Sequence, residues 1–397
     1  MTEFAASTSA APADAFPAAP ATPPQPQPLP IRFTGSGGEY FRIWIVNLLL
    51  TLVTLGIWSA WAKVRKTRYF WSNTQLAGAA FQYHGNPVAI LRGRLLAGAV
   101  FVAYSVAGRI SLTAGLVAGA VLMLLGPWFF HASMRFKLAN TSWRGLRFGF
   151  DSTAGRAYAV LAPGVVLGAL FIGSLATIQR TTPGEQANPL PIVLAELAVF
   201  ACWPWLHARL KAYQHGRAQY GDLAFEFEPS TRAFYGVYGK AFLSALPFFV
   251  LMGIAIAGVA AATRGTKDPE AMTRVFVPIA VVTYAVFALA YAVVGALFTA
   301  RLQRLVWTRT HAGPVRFATS ITARGLMRVW IGNGILTLLT LGIYWPWAAV
   351  AIARYRLECM TLEAGAPLET IAAGRLPAEG SATGEGAVDL FGWDIGL

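Results

Sequence analysis

Eight stretches of this chain stay apolar for close to the roughly 20 residues that a helix needs to cross the hydrocarbon core of a bilayer, a constraint that precedes every other. They lie at 41–62, 95–112, 113–132, 157–178, 190–208, 241–262, 275–299 and 329–350. No water reaches such a core to pair with backbone N–H and C=O groups, so the chain must close its own hydrogen bonds there, as helices do. Only 13% of the residues are charged against 56% hydrophobic, about half the charged share of a water-soluble domain. The expectation is an all-α polytopic membrane protein of about eight transmembrane helices, with internal repeats and short cytoplasmic β-strands or hairpins.

The formal net charge of +14 is carried mostly by Arg, set between the apolar segments and not gathered in a separate basic domain. Cations in that position act as topology determinants, which leaves no nucleic-acid partner to expect. The connections 63–94, 133–156, 209–240 and 300–328 are the Arg-rich ones and are expected in the cytoplasm. Residues 1–30, rich in Ala, Pro and Gln and without Lys or Arg, read as an extended, disordered tail. Residues 363–397 read as an acidic, solvent-exposed tail, which leaves 31–362 as the membrane domain. Two cysteines, Cys202 and Cys359, cannot build a disulfide framework or a CxxC metal site.

Two repeats organise the domain. The block RIWIVNLLLTLVTLGIWSAWA at 42–62 returns at 328–348 as RVWIGNGILTLLTLGIYWPWA, with 13 of 21 positions identical. The identities include Arg42/Arg328, Asn47/Asn333, Thr51/Thr337, Thr54/Thr340 and Gly56/Gly342, which apolar bias alone would not match. A weaker repeat runs through the connections. Trp61 is followed at +12, +17 and +20 by Asn73, Gly78 and Phe81, and Trp128 by Asn140, Gly145 and Phe148. Trp205 is followed by Arg217, Asp222 and Phe225, with its glycine one place early at Gly221; a degenerate copy runs from Leu297 to Phe317. Each copy reads as a helix end, a polar turn and a short alternating strand: FQYHG, LRFGF, AFEFE, VRFAT. Such strands have open edges and are marginal alone, so they are expected to pair into a small sheet or set of hairpins.

The order Phe33-x-Gly35, Asn47, TLGIW, Trp61-Ala62, Asn73-Thr74, Gly78 and Phe81-x-Tyr83-x-Gly85 resembles the bacterial inner-membrane family DUF898, also called YjgN-like. The resemblance covers the chain from about Phe33 to Leu362 and departs from the pattern at Arg217 and Asp222. It implies a multi-pass protein of the bacterial inner membrane and no particular chemistry.

The two repeats conflict over topology. With every Arg-rich connection inside, eight crossings send the eighth segment outward, whereas its near-copy, the first, runs inward. Either the copies are inverted relative to each other, or each enters and leaves on one face, breaking near Gly56 and near Gly342 and Pro346. Eight crossings is the reading that segment length favours.

Candidate functional residues follow from position. Asn47, Thr51 and Thr54, with Asn333, Thr337 and Thr340, put amides and hydroxyls on one helical face, suited to gluing helices together or to lining a pathway. Arg109 and Glu196 are ionisable groups inside spans, positioned to pair. Trp58, Trp61, Lys63, Arg65, Lys66 and Arg68, with Trp347 and Arg354, read as an interfacial set facing membrane lipid. His84, His131, His207, His215 and His311 read as loop or helix-end residues without metal spacing, and no GxSxG, HExxH or Walker loop is present. The chain is therefore expected to be no enzyme and to hold no cofactor or metal. Its function is expected to be transport of a small solute or ion; the alternative is a scaffold that binds lipid or a partner through its basic cytoplasmic face. A homo-oligomer or a protein partner stays open.

Overall fold

The computed structural model describes residues 27–179, 188–264 and 269–365. Most of both tails lies outside them. Strand β1 (Gln27–Phe33) opens the described chain, followed by helices α1 (Gly37–Val53) and α2 (Ser59–Ser72) and the hairpin β2 (Thr74–Leu76)–β3 (Ala79–Tyr83). The same plan then recurs. Helices α3 (Pro87–Ile110) and α4 (Leu112–Ala139) lead to β4 (Thr141–Trp143) and β5 (Leu146–Phe150). Helices α5 (Ala154–Gln179) and α6 (Leu190–His215) lead to β6 (Ala218–Tyr220) and to β7 (Leu223–Ala224) and β8 (Glu226–Phe227). Helices α7 (Thr231–Ala262) and α8 (Pro269–Thr308) lead to β9 (Thr310–Ala312) and β10 (Val315–Thr319). Helices α9 (Ala323–Leu339) and α10 (Trp345–Glu358) lead to a last strand, β11 (Met360–Ala364).

All eleven strands join one antiparallel sheet in the order β7-β6-β5-β4-β3-β2-β1-β11-β10-β9-β8. Its two ends, β7 and β8, are halves of one strand interrupted at Phe225, so the sheet nearly closes into a barrel. Other strands divide their pairing in the same manner. In β1, Gln27–Pro30 pair with β11 and Ile31–Phe33 pair with β2; in β5, Leu146 and Arg147 pair with β4 and Phe148–Phe150 with β6. A side chain from nearly every strand enters one shared core: Ile31, Leu76, Trp143, Tyr220, Ala312, Val315 and Leu362, with Phe81, Phe148, Phe225 and Phe317 packed against it. Near-closure explains how strands of two to seven residues persist, because it leaves free edges only at β7 and β8.

The turns are written in the glycines. Ala77 (φ 48°) and Gly78 (76°), like Arg144 (46°) and Gly145 (80°), hold positive φ at both central positions, as a type I′ hairpin requires. In the third and fourth hairpins only the first central residue, Gly221 (60°) or Gly313 (54°), has positive φ, the type II′ pattern, which admits Asp222 and Pro314 at the second. The displaced glycine of the third copy is therefore a change of turn type and leaves the sheet intact. The polar turn expected between helix and strand holds the hairpin's first strand as well: TQL, TSW, AQY and THA.

The fifth hairpin is made from the two ends of the chain. Strand β11 pairs with β1, Gln27 opposite Ala364. Arg304 of α8 donates to the carbonyl of Ile321, just past β10, at 3.0 Å, and Arg354 of α10 donates to that of Gly35, just past β1, at 2.7 Å. The equivalence assigns β1 to the unit begun by α10. Residues 27–30 and 363–364, which composition alone places in the tails, thus belong to the sheet.

The helices form a ring in chain order, each packed on its neighbours, with α1 against α10 completing the circle. Six, not eight, are long and apolar enough to cross a membrane among the described residues: α3, α4, α5, α6, α7 and α8. The two copies of the duplicated block are instead short helical hairpins, α1–α2 and α9–α10. Each outgoing helix has 17 residues, about 26 Å, against 24 residues, about 36 Å, for α3. Both turn back at the same place. Leu55 (φ 48°) and Gly56 (93°), like Leu341 (51°) and Gly342 (92°), take left-handed conformations that end the helix. The block is apolar across its whole length because its tip is apolar: Leu55 and Leu341 are each 94% exposed, beside exposed Val53, Ile57, Leu339 and Ile343. A left-handed Leu costs about 1 kcal/mol.

The geometry yields a topology test. With Cys202 and Cys359 replaced by Ser, Leu55→Cys and Leu341→Cys should resist a membrane-impermeant maleimide from both faces. Ser111→Cys, between α3 and α4, should label from the face opposite to that which labels Asp222→Cys. Labelling of Leu55→Cys from the Ser111 face would establish a crossing and overturn the re-entrant hairpin.

Candidate functional site

The duplicated Asn and Thr residues serve the hairpins themselves. Thr54 Oγ1 donates to the carbonyl of Leu50 at 2.7 Å and accepts from the N–H of Trp58 at 2.9 Å, bridging the two helices across the turn. Thr340 does the same between Leu336 and Tyr344, at 2.8 and 3.0 Å. The N–H of Gly56 reaches the carbonyl of Thr51 at 2.8 Å, and that of Gly342 reaches Thr337 at 2.7 Å. Thr51 and Thr337 hydroxyls bond back to the carbonyls of Asn47 and Asn333. The copies differ at the asparagines. Buried Asn47 accepts from the Trp58 indole at 3.2 Å, whereas Asn333 donates to its own helix at Val329, since Tyr344 stands where Trp58 would. These polar atoms meet the hairpin's own backbone and rings.

Arg109 and Glu196 do not pair. Arg109 ends α3 and Glu196 lies near the start of α6, both exposed at the helix ends remote from the sheet, and α4 and α5 stand between their helices in the ring. The expectation of an ion pair fails because adjacency along the ring follows chain order.

The aromatic and basic set divides. Trp58 stacks on Trp61 at 5.5 Å and 13°, and Tyr344 on Trp347 at 5.5 Å and 15°, so each returning helix begins with a stacked aromatic pair. Trp347 also stacks on Phe41 at 4.8 Å and covers Gly37, where an added Cβ would collide with the indole. The guanidinium of Arg65 lies 5.3 Å from the Trp58 ring centre. Arg65, Lys66 and Arg68 are exposed and Lys63 is half-buried. Arg354, expected to face lipid, holds the carbonyl of Gly35 with one guanidinium nitrogen, since the strand closing its hairpin comes from the other end of the chain.

Histidines read as lying on loops or helix ends belong in part to helix interiors. His131 is within α4 and bonds Tyr213 Oη at 2.9 Å; His207 is within α6 and bonds Tyr238 Oη at 2.8 Å. His215, the last residue of α6, is buried against Trp307 and Phe227. His84 is at a strand end, 2.8 Å from Ser142 Oγ; burial, then Arg147 and Arg68, hold its pKa below the ordinary value. The residues that pattern reading misses are Lys211 and Gln214, buried on α6 between these histidines. Their signal was present: counted from Trp205, Lys211 occupies the place held by Thr67, Met134 and Gln303 in other copies, on an inward helix face. Among the described residues no group of three or more His, Cys, Asp or Glu could hold a metal ion.

Replacing Trp58 by Phe removes the indole donor and strands buried Asn47 Oδ1, which should cost about 1–3 kcal/mol. Tyr344→Phe at the equivalent place, where Asn333 bonds its own helix, should leave thermal unfolding nearly unchanged in the purified protein. Equal effects would remove the assigned role of Asn47.

Comparison with known proteins gives a consistent setting. A family model described as a bacterial protein of unknown function (DUF898) matches residues 28–390. A protein of Salmonella typhimurium LT2 named inner membrane protein YjgN is 26% identical over 338 residues, covering 80% of this chain and 84% of that protein. Proteins of the same name from Escherichia coli K12 and O157:H7 are 25% and 26% identical over 238 and 239 residues, each alignment covering 56% of this chain and 58% of the relative. No solved structure matches.

Proposed function

Taking as premise that this chain belongs to the DUF898 family and is a multi-pass protein of the bacterial inner membrane, we propose that it is a non-catalytic membrane scaffold. It grips anionic phospholipid at its sheet-bearing face, and that face lies in the cytoplasm. One observation carries the reading: the polar groups best suited to line a pathway, Asn47, Thr54 and Thr340, are engaged in closing their own hairpins. Transport through a channel lined by them loses its main support.

Two further features fit. The barrel interior is filled by aromatic and aliphatic side chains. The Arg-rich connections all lie at the sheet end of the helices, where the positive-inside rule favours the cytoplasm. On this reading three transmembrane hairpins and two re-entrant ones return the chain to one face each time, and the parity conflict falls away. Exposed Arg65, Lys66 and Arg68, which lie further along α2 toward the sheet, suit a lipid phosphate.

Each such cation near an anionic surface contributes about 1 kcal/mol. Changing Arg65, Lys66 and Arg68 together to Gln should therefore weaken phosphatidylglycerol retention in native mass spectrometry by about a hundredfold. Phosphatidylcholine retention should not change. Equal loss of both lipids, or of neither, would refute the proposal.

A further inference from the structure

Helices α4, α5 and α6 each carry a proline in their interior: Pro127, Pro163 and Pro204. Measured along each helix they stand about 18, 14 and 17 Å from the sheet end, so they lie at nearly one level on three consecutive members of the ring. Pro247 of α7 and Pro278 of α8 are off that level, about 24 and 45 Å from their sheet ends. Proline has no N–H for the carbonyl four residues back, and its ring crowds that carbonyl, so each helix is interrupted there. The line also divides packed from unpacked helix. On its sheet side Phe129, Phe130, Met134, Ala208 and Tyr213 are buried; beyond it on α6, Val193, Leu194, Leu197, Phe200 and Trp203 are all exposed.

Each interruption is met by a side chain from the next helix. The phenol of Tyr158, on α5, donates to the carbonyl of Leu124 at 2.8 Å, three residues before Pro127. Arg209 of α6 donates to the carbonyl of Ala159 at 3.1 Å, the one that Pro163 leaves without its helical donor, and its guanidinium lies 5.1 Å from the Trp205 ring centre. The phenol of Tyr235, on α7, donates to the carbonyl of Ala201 at 2.6 Å, three residues before Pro204.

The internal repeat ties the phenols to the prolines. Just before the anchors Trp61, Trp128, Trp205 and Leu297 stand Ala60, Pro127, Pro204 and Ala296; thirty residues past the same anchors stand Leu91, Tyr158, Tyr235 and Met327. Tyrosine occurs only where proline precedes the anchor. In the fifth unit Pro346 falls in the first turn of α10, where it has no helical bond to break, and α1 supplies Phe41, which stacks on Trp347 without a hydroxyl. A ring placed for packing alone would not gain its hydroxyl in step with the proline.

We infer that Pro127, Pro163 and Pro204 form a hinge line across α4, α5 and α6, and that Tyr158, Arg209 and Tyr235 are the clasps that hold it. The parts of these helices remote from the sheet swing together against the sheet-bearing half. The seam that opens is the one between α6 and α7, which Tyr235 fastens. The segment Leu190–Trp203 is about 21 Å long, so a bend of about 20° at Pro204 carries its far end about 7 Å.

Distances between paired spin labels test this, measured by pulsed dipolar EPR on the full chain in phospholipid nanodiscs with Cys202 and Cys359 replaced by Ser. One pair, Val193→Cys with Ile256→Cys, spans the α6–α7 seam beyond the hinge; the other, Arg156→Cys with Arg232→Cys, stays on its sheet side. Combining Tyr158→Phe, Arg209→Met and Tyr235→Phe should give the first pair a population displaced by about 7 Å and leave the second unchanged. Adding Pro127→Ala, Pro163→Ala and Pro204→Ala should abolish the displaced population. If either variant does not fold, Tyr235→Phe alone and with Pro204→Ala should show the same contrast at lower occupancy. An unchanged first pair, a shift of both pairs together, or a displaced population that survives loss of the prolines overturns the inference.

Discussion

A backbone amide that enters hydrocarbon must find its partner within the chain, and each part of this architecture answers that demand. In the six long helices the ladder does so without help. The short hairpins α1–α2 and α9–α10 reverse direction at an exposed apolar tip, and there the bonds are supplied one at a time: a threonine hydroxyl to each side of the turn, a glycine N–H to a carbonyl five residues back. At the other end of the helices, strands too short to stand as open pairs close on themselves. The duplicated Thr-Leu-Gly-Ile motif is accordingly a device for turning a helix around on the chain's own hydrogen bonds.

Much of the fold was legible in the sequence because it is written in repeats. The spacing from Trp61 to Asn73, Gly78 and Phe81 marked turns and exit strands, and its recurrence implied strands that pair, although the helices run past the anchoring Trp128 and Trp205 to Ala139 and His215. Three features escaped for separate physical reasons. Pro28 and Pro30 made β1 look like an extended tail, although proline is tolerated where a strand need not donate. Length favoured crossings at 42–62 and 328–348 because hydropathy measures what a residue prefers to touch and not which way the chain is heading. The left-handed Leu55–Gly56 and Leu341–Gly342 pairs decided the direction.

The site was less legible than the fold. Asn47 and Arg109 attracted attention by being polar in apolar segments, yet one is spent on a tryptophan and the other is exposed at a helix end. Lys211, Gln214 and His215 fell in a stretch that composition marks as a basic connection, and only the continuation of α6 through His215 turns them inward. A charge in such a stretch reads as solvated until the helix carrying it is known to be surrounded.

The pairing of β1 with β11 bears on how the molecule is made. Strand β1 has its partner, β11, more than 330 residues later, so the sheet cannot complete its near-closure until β11 has been synthesised. Until then β2, already next to β1, can hold only Ile31, Arg32 and Phe33, while Gln27–Pro30 wait unpaired. Such a long-range closure is slow and late relative to the local hairpins. It makes the nearly closed ring a marker of a chain made through β11, one that a product ending before Met360 would lack.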